Sequence, residues 1–118
     1  MKEVYVVDDD AGIVTLLTMV LEMAGFTVRA ALDPAIVLAW IVGGGRPSLI
    51  ITDYEMPSMT GSRLAKTVRA NGYAGPVLCV SAHVFDAPPS GINQVVSKPL
   101  DIDELRSAVA RLATRNGS

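Results

Sequence analysis

Asp8, Asp9 and Asp10 stand in a row directly after the apolar run Val4 to Val7. Three adjacent carboxylates repel one another, and a compact domain does not leave that repulsion unanswered. A second acidic pair, Asp53 and Glu55, follows another apolar run at 49–52, so five of the twelve acids sit in two short segments. Ser81 follows a third run and Lys98 a fourth. Carboxylates, a hydroxyl and an ammonium gathered in one place suit a hard divalent cation with oxygen ligands, Mg2+ first among them, because Lys98 alone is too little positive charge. Such an ion and a lysine spread the charge on phosphoryl oxygens, and a hydroxyl donates a hydrogen bond to them. A carboxylate can itself accept the phosphoryl group as an acyl phosphate.

That chemistry requires the four segments to meet, and the order of elements says how. Short apolar runs at 4–7, 27–31, 49–52, 76–80 and 94–97 are bounded by Gly, Pro or Asp, and all read as buried parallel strands. Helical patterns lie between them. Ile13, Leu16, Leu17, Val20, Leu21 and Ala24 fall on one helix face, and Gly25 stops it. Asp33-Pro34 starts a second helix that Gly43-Gly44-Gly45 ends. Leu64, Ala65 and Val68 mark a third, and Asp101 to Glu104 open a last one. Strands alternating with helices imply an α/β fold, a doubly wound parallel sheet whose site lies beyond the C-terminal strand ends. The acids, Ser81 and Lys98 then converge on that edge.

Composition narrows the function classes. The 118 residues suit one domain, taken as 1–114 with a frayed tail at 115–118. Half the residues are hydrophobic, so a core can form, and a net charge of −2 without a basic block offers no nucleic-acid surface. The apolar runs are too short to span a membrane, and the lone Cys79, inside an apolar run, reads as buried filler in a cytoplasmic protein. Trp40 reads as packing, and His83, the single histidine, as a solvated loop residue.

"VVDDD", "ITDYEMPSMTG", "VSA" and "SKPL" together resemble the receiver domain of two-component response regulators. The resemblance covers essentially the whole chain, and the Met-Pro-x-Met-x-Gly run after Asp53 makes it specific. It implies a flavodoxin-like five-stranded sheet in the order 2-1-3-4-5, an order for which a chemotaxis receiver is itself the standard example. It implies Asp53 as phosphoacceptor and Mg2+ held by Asp8, Asp9, Asp53 and the backbone carbonyl of Glu55. It further implies that Lys98 and Ser81, with Ala82 nearby, bind the phosphoryl group, and that the Lys98–Pro99 peptide is cis. The phosphoryl donor would be a histidine kinase or phosphotransfer protein, to a stand-alone receiver or the receiver of a hybrid kinase.

The chain departs from that pattern in places. Pro88-Pro89 and Ser90-Gly91 will not sustain the helix usually found before the last strand, so helix 4 is expected to be shortened or absent. Its loss weakens the usual dimer face, which points to a monomer or weak dimer. Val95 stands where an aromatic switch residue is frequent, and Thr60 replaces a frequent Asp without evident effect. Glu55 and His83 are placed to border the phosphoryl group and tune its lifetime. Two other functions are open to such residues: a docking module that needs no phosphorylation, and a Mg2+-dependent phosphatase working through Asp53 and Glu55. The intact acceptor set speaks against the first. The missing cap domain, and the motif's place after the third strand, speak against the second.

Overall fold

Apolar runs flanked by helices fold here into a five-stranded parallel sheet. The computed structural model describes the backbone of residues 2–117 and the side chains of 2–114. The elements are β1 (Glu3–Val7), α1 (Ala11–Met23), β2 (Thr27–Ala31), α2 (Pro34–Val42), β3 (Leu49–Asp53), α3 (Gly61–Ala70), β4 (Val77–Ser81), β5 (Gln94–Ser97) and α4 (Ile102–Gly117). The strand order is β2-β1-β3-β4-β5, as the resemblance implied. The expected fraying of 115–118 falls on residues whose side chains lie outside those described.

Side chains alternate across a strand, so each central strand feeds two cores. Val4, Val6, Leu49, Ile51, Leu78 and Val80 meet Leu17 and Leu21 of α1 and Leu105, Val109 and Leu112 of α4. Tyr5, Val7, Ile50, Val77 and Cys79 meet Val37 and Ile41 of α2 and Leu64 and Val68 of α3. Burial on both faces is why these runs carry almost no polar residues. The sequence reading overstated β2, which is an edge strand with only Ala31 buried. Its Arg29 lies over the Trp40 ring at 4.0 Å, and Trp40 packs edge-on against Tyr5.

The register brings the strand ends level. Val7 pairs with Thr52, Asp53 with Val80, and Ser81 with Ser97. Asp8, Asp53, Ser81 and Lys98 therefore leave the sheet side by side. Local caps fix where each helix starts. Asp10 accepts from the amides of Gly12 and Ile13, Asp33 from Ala35, and Asp101 from Asp103 and Glu104. Thr60, which looked neutral in the sequence, is the N-cap of α3 and accepts from Arg63 N–H.

Residues 82–93 form no helix, in line with the Pro and Gly content of the segment. Arg69 of α3 holds its far end instead. The guanidinium donates to Gly91 O, Gly75 O and Asn93 Oδ1, and Asn93 Oδ1 also accepts from Val77 N–H at the start of β4. Ser62 Oγ donates to Ser90 O, and Gly91, at φ +85°, sits so close to α3 that a Cβ would meet that of Ala65 at 3.1 Å. Ile92 is buried in the second core. The expected consequence is that Arg69→Ala lowers stability by about 2 kcal/mol, because three acceptors lose one charged donor. Arg69→Lys recovers less than half of it, since an ammonium cannot span the three acceptors as a planar guanidinium does. Urea unfolding of the three proteins checks both.

Candidate functional site

At the C-terminal edge of β1, Asp8 is 1% exposed although it carries a carboxylate. Its Oδ1 accepts from Asp10 N–H at 2.9 Å, while its Oδ2 is buried with no hydrogen-bond partner among the described residues. Lys98 Nζ stands 3.7 Å from that oxygen, near enough to attract it but too far to bond it. Burial raises the Asp8 carboxyl above the usual carboxylate range. The Asp10 amide and Lys98 pull it down, and the Asp53 and Asp9 charges push it further up.

Asp53 ends β3. Its Oδ1 accepts from Tyr54 N–H at 2.9 Å and lies 3.2 Å from Lys98 Nζ. Burial works against the charge on Lys98, but Asp8 and Asp53 outweigh it and hold the ammonium above its ordinary range. Asp9 is exposed, and one oxygen from each of Asp8, Asp9 and Asp53 lies within 4.8 Å of the others. Three converging carboxylates, one with an orphaned buried oxygen, fit a divalent cation by their donor chemistry.

Ser81 is buried at the end of β4 and accepts from His83 N–H at 2.9 Å through its hydroxyl. Its backbone carbonyl accepts from Lys98 N–H. The Lys98–Pro99 peptide is cis. Asp53, Glu55, Ser81, Ala82, His83 and Lys98 line one open cavity of about 140 Å³. The structure thus brings Asp53, Glu55, Ser81, Ala82, His83 and Lys98 together; Asp8 and Asp9 adjoin the cavity through Asp53 and Lys98, while Asp10 turns away to cap α1. The carboxylate of Glu55 pairs with His83 Nε2, so these two side chains face each other at the cavity rim.

Some residues of the site were not singled out by the sequence. Gly61 lies against the backbone of Asp53: a Cβ there would stand 2.5 Å from Asp53 O, and its N–H donates to Tyr54 O at 2.7 Å. The glycine that closes the Met-Pro-x-Met-x-Gly run was the available signal. Tyr54 orients Asp53 through its amide. Phe85, outside the cavity lining but against the Tyr54 ring, carried no signal at all.

A family model described as the response regulator receiver domain matches residues 4–110. The chain is 32% identical over 92% of its length to the DNA-binding transcriptional regulator NtrC of Rhizobium meliloti, of which it spans 23%. It is 28% identical to the chemotaxis protein CheY of Pseudomonas aeruginosa over 96% of this chain and 97% of that one. Among solved structures, the response regulator TrrA of Thermotoga maritima in complex with Mg(2+)-BeF superposes with a TM-score of 0.85 at 28% identity, covering 95% of this chain and 99% of that one. The chain thus spans under a quarter of NtrC but nearly all of CheY.

The orphaned oxygen makes a stability prediction. Asp8→Asn removes one of three crowded charges, so without metal its melting temperature rises by a few degrees, on the order of 1 kcal/mol. Millimolar Mg2+ then raises the melting temperature of the parent but not of Asp8→Asn. A thermal denaturation series with and without Mg2+ reads both effects.

Proposed function

The chain belongs to the response regulator receiver domain family, and we propose that it is a phosphorylation-dependent switch whose phosphoryl acceptor is Asp53. Receiver domains are signalling modules without a dedicated catalytic activity, and they interact with histidine kinases or phosphotransfer proteins. The observation that carries the proposal is the placing of Asp53 at a strand end, 3.2 Å from Lys98, in a cavity that also holds Ser81.

In this reading an oxygen of Asp53 bonds to phosphorus as the bond from phosphorus to the donor's imidazole nitrogen breaks, and that nitrogen keeps the electron pair. Oδ1 already carries the contacts to Tyr54 N–H and Lys98, which leaves Oδ2 outside them. Lys98 stabilises the negative charge on the transferred group, and Ser81 and the Ala82 amide donate hydrogen bonds to its oxygens. Mg2+, when held by Asp8, Asp9, Asp53 and the Glu55 carbonyl, supplies further charge neutralisation at those oxygens. The added charge then shifts a conformational equilibrium. TrrA, similar along almost its whole length, was solved with Mg(2+)-BeF, which favours the same metal here.

The donor is a histidine kinase or phosphotransfer protein, and the setting is the cytoplasm. No helix of the described residues is long and apolar enough to cross a membrane. The receiver acts alone or as part of a hybrid kinase, as a monomer or weak dimer, because the missing helix thins the surface that would pair two copies. Glu55 and His83, at the cavity rim, tune the lifetime of the phosphoryl group.

Intact mass after incubation with acetyl phosphate and Mg2+ tests the acceptor. The parent gains one labile phosphoryl group of about 80 Da, and Asp53→Asn gains none. An equal adduct on Asp53→Asn would place the acceptor elsewhere. No adduct on the parent would favour the docking module.

A further inference from the structure

The acceptor and the hydroxyl are each tied to a backbone amide, and the side chains of the two residues that supply those amides touch. Tyr54 N–H donates to Asp53 Oδ1, and His83 N–H donates to Ser81 Oγ. The Tyr54 and His83 rings meet edge to face with centroids 5.6 Å apart. Phe85 packs on both, 4.9 Å from Tyr54 and 6.1 Å from His83. Between His83 and Phe85, Val84 is 92% exposed. A three-ring cluster therefore stands beside the cavity, joined to the acceptor on one side and to the hydroxyl on the other.

We infer that this cluster is the relay by which phosphorylation of Asp53 displaces the Val84–Phe85 segment, an inference that rests on the reading of Asp53 given above. A serine hydroxyl can accept an amide proton and donate its own at the same time. When Ser81 turns to donate to a phosphoryl oxygen, the His83 amide follows it or loses its partner. A phosphoryl group on Asp53 also changes the carboxylate that Tyr54 N–H serves. Both changes reach the same ring contacts, which are weaker than the charge-assisted bonds that drive them.

The segment is built for such a displacement. Its far end, at residues 90–93, is anchored to α3 by Arg69 and Ser62. Its near end is held by Ser81, the rings and the Glu55–His83 pair. A shift at Ser81 therefore moves residues 83–85 against a fixed far end. Val95, on β5, packs into the second core and brings no ring to the inner side of this path. The aromatic group that responds to Ser81 stands on the outer side instead, in the segment that replaces a helix. Tyr54, His83 and Phe85 act here as positioning residues.

The test uses the Val84→Cys variant carrying an environment-sensitive fluorophore. Cys79 stays unlabelled because it is fully buried and burial pushes its thiol up to about 12. Acetyl phosphate and Mg2+ are added while intact mass follows the adduct in the same sample. The emission is expected to change as the adduct forms. Adding Phe85→Ala is expected to shrink that change about threefold or more without altering adduct yield, and Phe85→Tyr to restore it. A change that survives Phe85→Ala, or an adduct on the labelled Val84→Cys protein with no change, overturns the relay alone. Absence of an adduct on the unlabelled parent overturns the reading of Asp53 and the relay with it.

Discussion

Two buried carboxylates share one ammonium at the edge of this sheet. Asp8 and Asp53 are almost fully enclosed, and Lys98 reaches both without neutralising both. The excess negative charge is unfavourable in a metal-free chain, and its donor chemistry suits a divalent cation. Everything else in the structure keeps that imbalance in place. The sheet register holds Asp8 and Asp53 on adjacent strands at one level. The packed cores on either face leave the strands no slack to move apart. Asp10 and Tyr54 each give an amide to one carboxylate and so fix its orientation.

The loop after Asp53 shows how close packing serves the same end. Gly61 lets the first turn of α3 lie on the Asp53 carbonyl, and Thr60 caps the helix that begins there. A side chain at 61 would push the helix off the strand end. The helix start and Asp53 are thus one packed unit, and the spacing of the Met-Pro-x-Met-x-Gly run reflects that geometry.

The segment 82–93 solves a different problem. A helix there would satisfy its own backbone groups, and an irregular loop must find partners elsewhere. Arg69, from a neighbouring helix, donates twice to Gly91 O and once to the Asn93 side-chain oxygen, which also accepts from the start of β4. The near half of the segment is held by the rings, by Ser81 and by the Glu55–His83 pair. That division into an anchored half and a responsive half arises from the loss of the helix.

Much of this was legible in the residues themselves. Apolar runs bounded by turn formers identify the strands because a parallel strand buried on both faces tolerates little else, and Asp33-Pro34 and Gly25 mark helix ends through local backbone chemistry. Asp8, Asp53, Ser81 and Lys98 could be grouped because each directly follows such a run, and strand ends in a parallel sheet must align. The edge position of β2, the cap at Thr60, the Arg69 anchor, the Glu55–His83 pair and the Tyr54–His83–Phe85 cluster could not be read that way. Each depends on which segments become neighbours in space. Arg69 and Asn93 are 24 residues apart and Tyr54 and Phe85 lie on different loops, so no local period or spacing encodes the contact. The order of elements and the charged set at the strand ends follow from local burial and turn chemistry, which neighbouring residues encode. What surrounds that set follows from long-range packing, which selects partners far apart along the chain.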